Sequence, residues 1–186
     1  KPAEVTVTTG AKFIFFAANQ ALLDEGDQAI IPAPYWASYT EMVKLAGAEP
    51  VVVKTKQENR FKITASELSG AITAKTKMFL LNSPSNPTGV EYSTEDLTEL
   101  AAVLKQHPQV SIVCDDIYNQ LSFSDSGISP HLLQVAPELR DRVLSINGIS
   151  KAYAMTGWRL GWATGPADVI KAMASYQSQT VGAPSS

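Results

Sequence analysis

Short apolar runs rich in β-branched residues alternate along this chain with segments of helical periodicity, and that alternation limits the fold more than any other feature. The runs are EVTVT (4–8), QAIIP (28–32), PVVVK (50–54), KMFLLN (77–82), VSIVC (110–114), VLSIN (143–147) and RLGWAT (159–164). Several are continuous rather than alternating, the pattern of strands buried on both faces. Helices are expected over 11–24, after Gly10 and closed by Glu25-Gly26, and over 35–46, closed by Gly47. Thr64-x-x-Glu67 is a capping box opening 65–73. Ser93 precedes a helix with Leu97, Leu100, Ala101 and Leu104 on one face, and Pro166-Ala167 opens a last one with Ile170, Met173 and Ala174 inward. Strands alternating with helices predict βαβ units and a mainly parallel sheet. In such sheets a ligand sits outside the carboxyl ends of the strands, so the residues after each strand matter most.

Composition excludes several function classes. The chain has 186 residues, 45% hydrophobic and 18% charged, which suits one globular domain with a sizeable core. A net charge of -3 without a basic run argues against nucleic acid or a membrane surface as partner. The lone Cys114 excludes an internal disulfide and suits a reducing, cytoplasmic setting. No apolar stretch reaches the length of a membrane span. His107, His131 and Cys114 lack metal-ligand spacing, so no metal is expected. Ser83 and Ser85 have no histidine near them in the pattern, which removes acyl transfer. The opening KPAEVTVTTG has no initiator Met or signal pattern and QTVGAPSS closes in a loop-like stretch, so a piece of a longer protein is expected, with a trimmed mature product as the alternative.

The strand ends carry the chemistry. Gly10, Ala11 and Lys12 open a helix with small residues and free N–H groups, a setting for phosphate or simply a turn. PAPYWASY places Tyr35, Trp36 and Tyr39 after the second strand, where an aromatic can stack on a flat ring or fill the core. NSPSNPTG (82–89) is a proline-rich, hydrogen-bond-poor turn that holds the Asn86 amide in place. Asp115 ends an apolar run, and a carboxylate at that depth needs a partner; Asp115 and Tyr118 can address one ligand. Asp116 is the rival carboxylate, facing solvent or capping the next segment. Ser150 and Lys151 follow the sixth strand. A lysine enclosed there loses solvation and becomes an amine nucleophile, whereas a snorkelling surface cation is the ordinary alternative. Arg159, among Gly157, Trp158, Gly161 and Trp162, suits a partly buried bidentate phosphate contact. One ligand satisfies the whole set: a phosphate for Gly10–Lys12 and Arg159, a ring for Trp36, a phenolic oxygen for Asn86 and Tyr118, a ring nitrogen for Asp115 and an aldehyde for Lys151. That ligand is pyridoxal 5′-phosphate.

PAPYWASYTEM, NSPSNPTG, DDIYNQL and SKAYAMTGWRLGW, in this order, make the chain resemble the class I/II aminotransferases of fold type I, in wording most similar to bacterial aspartate and aspartate/prephenate aminotransferases. The resemblance implies a three-layer α/β/α large domain over 1–186 with a seven-stranded sheet whose last strand, 159–164, is antiparallel. It implies that Lys151 is the Schiff-base lysine and proton shuttle, that Asp115 pairs with the pyridine nitrogen, and that Tyr118 and Asn86 hold the ring's 3′ oxygen. It further implies Trp36 on the ring face, Arg159 with Gly10, Ala11 and Lys12 as the phosphate cup, and Trp36 and Asn86 within reach of substrate. Many relatives carry a phosphate-binding serine where this chain has Gly148, which shifts weight to Ser150. The implied parent is a homodimer that moves the amino group of L-aspartate to 2-oxoglutarate by a ping-pong route. Its N-terminal segment and its C-terminal small domain, with the substrate-carboxylate arginine, lie outside these residues, so the piece alone is expected to be inactive. Another amino-acid or prephenate aminotransferase, or a C–S lyase on the same scaffold, is the alternative. A module that binds the cofactor without turnover is disfavoured by the presence of both Lys151 and Asp115.

Overall fold

The structure is a computed structural model that describes residues 1–184, so the last two residues of the loop-like ending lie outside the described residues. Among the described residues seven strands form one sheet: β1 (Val5–Thr8), β2 (Gln28–Ala33), β3 (Glu49–Lys54), β4 (Thr76–Asn82), β5 (Ser111–Asp115), β6 (Val143–Gly148) and β7 (Gly161–Thr164). Their order is β1-β7-β6-β5-β4-β2-β3. β2 through β6 pair in parallel, and β7 alone runs against both its neighbours. This is the mainly parallel sheet expected, with its last strand reversed. β7 begins at Gly161 rather than at residue 159, because Arg159 adopts left-handed backbone (φ 49°) that no strand continues through.

The helices are α1 (Ala11–Leu22), α2 (Ser38–Leu45), α3 (Ala65–Ala71), α4 (Thr94–Lys105), α5 (Leu132–Val135) and α6 (Ala167–Ser178). The Thr64 box forms in full: Thr64 Oγ1 accepts from the Glu67 N–H at 3.2 Å, and the Thr64 N–H donates to Glu67 Oε2 at 2.9 Å. α2 starts three residues later than periodicity predicts, which leaves Tyr35 and Trp36 in the turn before it. α5 was not legible as a helix; its single turn is capped by His131, whose Nδ1 accepts from the Leu133 N–H at 3.1 Å. On α6 the buried stripe is Ile170, Met173 and Gln177, one turn apart, and the expected Ala174 is exposed beside it. Among the described residues no helix is long and apolar enough to cross a membrane.

Two cores make the three layers. Met78 and Leu80 of β4 pack with α1, α2 and α6, while their neighbours Phe79 and Leu81 pack with α3, α4 and α5. The same alternation sends Ile30 and Ile31 to opposite faces, and Val113 to one face with Ile112 and Cys114 on the other. A run with both parities apolar can therefore bury completely, which is why these strands read as continuous.

Candidate active site

The carboxyl ends of the parallel strands, the start of α1 and the segment leading into β7 converge on one edge of the sheet. Because β7 is reversed, its beginning reaches this edge and carries Arg159 with it. A cavity of about 240 Å³ opens there. Ala11, Lys12, Trp36, Asn86, Asp115, Tyr118, Ser150, Lys151 and Arg159 line it, together with Phe15, Tyr39, Ile117 and Thr156. Of the residues expected at the site, only Gly10 is not on the wall, and it stands directly behind Arg159.

Strand parity decides between the two carboxylates. Asp115 falls on the α1/α2 face, two residues beyond Val113, and is 3% exposed. Tyr39, from the buried side of α2, donates its hydroxyl to Asp115 Oδ2, and the Ile117 N–H donates to Oδ1 at 3.2 Å. Burial pushes the Asp115 carboxyl up to about 7; the bonds from Tyr39 and Ile117 work against that, and the Asp116 charge adds to it. Asp116 faces the other way and neither sits free in solvent nor caps the next segment. Its Oδ2 lies 3.2 Å from His131 Nε2, which also lies 2.8 Å from Ser145 Oγ. Since His131 Nδ1 is an acceptor, Nε2 bears the proton in the neutral ring.

Tyr118 sits on the cavity wall with its hydroxyl pKa raised, first by burial and then by the Asp115 charge, against the hydrogen bond with the Asn86 side chain. The turn that presents Asn86 is not hydrogen-bond-poor as its prolines suggest. The Asn86 N–H donates to Asn82 Oδ1 at 2.8 Å, Gly89 N–H to the Ser85 carbonyl at 2.7 Å, and Ser85 N–H to the Val90 carbonyl at 2.9 Å. Asn82 Nδ2 in turn donates to the Asp115 carbonyl at 3.0 Å, which ties the turn to β5. The prolines remove donors, and the turn is held instead by two backbone bonds and by Asn82, whose amide accepts from Asn86 and donates to Asp115.

At the other end the cavity is positive. Gly10 caps α1 with φ 85° and no side-chain partner, so the first N–H groups of a twelve-residue helix point outward. A Cβ on Gly10 would lie 2.5 Å from Arg159 Nη2. A guanidinium packed against a helix N-terminus is a pairing of like partial charges, and an anion between them relieves it. Arg159 is exposed rather than partly buried, and its Nη1 donates to the Thr156 carbonyl at 2.9 Å, so one arm of the expected bidentate fork is turned to backbone. Lys12 Nζ lies 5.0 Å from the Trp36 ring centroid, so a cation faces that indole. Trp36 is held edge-on by Phe15 and Tyr39.

Ser150 and Lys151 lie in the turn after β6. Lys151 is exposed, so the enclosure expected of that strand end is not provided by these residues: β6 stops at Gly148 and the chain has already left the sheet. Gly148 has a geometric reason of its own, since a Cβ there would lie 2.8 Å from the Leu160 carbonyl oxygen.

Sequence reasoning missed Tyr39 as a site residue. Its signal was present: it stands three residues after Trp36 on a helix that packs on the Asp115 face. Phe15, Ile117 and Thr156 had no such signal, being ordinary core or turn residues by type. The cavity as built holds a buried carboxylate at one end, two phenol-and-amide donors beside it, an amine at the rim and a cationic cup at the other end.

Known proteins with this arrangement share the chain's sequence as well. An aspartate/prephenate aminotransferase of Cereibacter sphaeroides is 51% identical over 185 residues, 100% of this chain and 46% of that protein. The aspartate aminotransferase of Rhizobium meliloti superposes with a TM-score of 0.96 at 46% identity, covering 100% of this chain and 46% of that one. The Thermus thermophilus aspartate aminotransferase solved with maleate gives 0.92 at 43% identity, covering 99% and 47%. The chain thus spans about half the length of the relatives it matches. The family model "Aminotransferase class I and II" matches residues 1–186. With the family model spanning its sequence and solved aminotransferases matching its sheet, the chain belongs to the class I and II aminotransferase family.

Proposed function

We propose that residues 1–186 are the cofactor-binding large domain of a pyridoxal-phosphate aminotransferase that transfers the amino group of L-aspartate to 2-oxoglutarate in two half-reactions. The observation that carries this reading is the polarity of the cavity at the carboxyl ends of the strands, with a buried carboxylate facing a cationic cup and an amine between elements that supply both. The donor set fits the cofactor: an anionic end for a cationic ring nitrogen, phenol and amide for its oxygen, and helix N–H groups with Arg159 for its phosphate. When bound, pyridoxal phosphate supplies an aldehyde for an amine and a ring that draws electrons away from the reacting carbon. Lys151 places a primary amine at the rim, where it would hold the cofactor's aldehyde carbon and, once displaced by the substrate amine, would be free to take a proton from the substrate Cα. Asp115 holds the ring-nitrogen proton in place by its charge. Tyr118 and Asn86 donate to the ring oxygen, Trp36 covers one ring face, and Asn86 and Trp36 border the substrate. Gly10, Ala11, Lys12, Ser150 and Arg159 bind the phosphate.

Aspartate as donor is supported by the names of the Rhizobium and Thermus proteins, and by the maleate of the latter, a four-carbon dicarboxylate. The Cereibacter name favours prephenate as a second acceptor. The cavity's cations, Lys12, Lys151 and Arg159, all have roles toward the cofactor, so among the described residues none lining it is left for a substrate carboxylate. We therefore place turnover in the whole protein, and expect the 186 residues alone to bind cofactor without transaminating. A cytoplasmic homodimer is the proposed setting. Tyr153 and Trp158, 53% and 68% exposed between Lys151 and Arg159, support a partner chain beside the site.

Titration of the chain with pyridoxal phosphate tests the reading. A visible absorbance band that forms with wild type and is lost in Lys151→Ala is the expected result. A band unchanged in that variant contradicts it. A coupled assay of the whole protein with aspartate, against 2-oxoglutarate and prephenate in turn, decides the acceptor.

A further inference from the structure

We propose that Tyr39 is a positioning residue for Asp115: by donating to Oδ2 it keeps the carboxylate anionic and fixed, so that a proton shared with a bound ring nitrogen stays on the ring. The inference rests on the cofactor reading above. Neither partner has an alternative in solvent, since Tyr39 is 4% and Asp115 3% exposed. An ionised carboxylate only accepts, so the hydroxyl is the donor. The phenol cannot swing away. Its ring packs against Phe15 (centroids 5.2 Å apart) and Trp36 (5.3 Å), and its N–H is bonded to the Trp36 carbonyl at 3.0 Å. With the Ile117 N–H on Oδ1, both oxygens are tethered and the carboxylate plane is set.

The other charged or titratable groups near Asp115 are Asp116, the Cys114 thiol on the opposite face of β5, the Tyr118 hydroxyl and the cavity's Lys12, Lys151 and Arg159. Burial and Asp116 both favour the protonated carboxyl, and the Tyr39 and Ile117 donors oppose them. Without the Tyr39 hydroxyl one of two opposing bonds is gone. Asp115 then takes the proton more readily and competes with a bound ring nitrogen for it.

The test is a carboxyl NMR titration of the cofactor-free chain with carbon-labelled aspartate, the Asp115 signal being assigned by its loss in Asp115→Asn. Tyr39→Phe is expected to bind the Asp115 proton about tenfold more tightly. Difluorotyrosine placed at position 39, a stronger donor of nearly the same shape, is expected to shift the midpoint the other way. A purely structural role does not produce shifts of opposite sign, and the second substitution decides the matter if Tyr39→Phe fails to fold. With cofactor labelled at the ring nitrogen, Tyr39→Phe is expected to show a smaller share of protonated ring than wild type at the same pH. An Asp115 midpoint that both substitutions leave in place, in protein that binds the cofactor, overturns the inference. Failure of wild type to bind the cofactor at all overturns the reading it rests on, and the carboxyl titration still reports whether Tyr39 governs Asp115.

Discussion

Asp115→Asn is expected to stabilise the cofactor-free chain at pH 8 while removing its affinity for the cofactor. An acid whose folded pKa is about 7, against an ordinary value near 3.8, holds its proton in the folded state over a range where the unfolded chain has released it. Stability therefore falls as pH rises from about 4 to about 7, and stays down above that. Asparagine has no proton to lose, so the slope disappears and the variant gains on the order of a few kcal/mol at pH 8. Urea midpoints at pH 5 and pH 8, for both proteins, read this directly. Binding moves the other way. A cationic ring nitrogen left without its buried counter-charge costs about 3–5 kcal/mol, a loss of a hundredfold or more in affinity. A residue that weakens the empty fold and strengthens the complex is kept for its function.

The second large effect comes from Gly161. It pairs with Gly148 across β6 and β7, and a Cβ on it would lie 2.5 Å from the Ala11 nitrogen and 2.8 Å from the Gly10 carbonyl carbon. Both are backbone atoms, so neither can rotate aside. Gly161→Ala pushes the start of α1 off the sheet, at a cost of about 2–4 kcal/mol, and lowers Tm by about 5–15 °C. It also spreads the Gly10–Lys12 N–H groups from Arg159, so phosphate affinity falls with stability. Gly70→Ala is the matched control. That glycine lies inside α3 with nothing within 4 Å of its Cβ position, and the change is expected to be neutral or stabilising by up to about 1 kcal/mol. Equal destabilisation by the two changes, in thermal melts, contradicts the packing argument.

The sheet was legible because β4 and β5 carry apolar residues at both parities, which only a strand covered on two faces requires. The same parity, applied one residue further, places Asp115 and Asp116 on opposite faces, and so resolves a choice that composition left open. Burial at the rim was not legible. Lys151 follows β6 and Arg159 precedes β7, both beside apolar residues, yet both are exposed, because periodicity describes the sheet and not the turns that enter or leave it. The bonding of the 82–89 turn was misjudged from its prolines, since Asn82 lends side-chain bonds that residue type alone does not announce. Tyr39 was hidden for the opposite reason: as one ring in an aromatic cluster it reads as core, and only its hydroxyl meets the site.

Reduction with borohydride in the presence of pyridoxal phosphate, followed by peptide mass mapping, reads out which amine the bound aldehyde reaches. The account predicts one added cofactor mass, on the peptide carrying Lys151, suppressed by competing phosphate and strongly reduced in Asp115→Asn. Label spread over Lys44, Lys171 and other surface lysines, indifferent to phosphate and to Asp115, would contradict it.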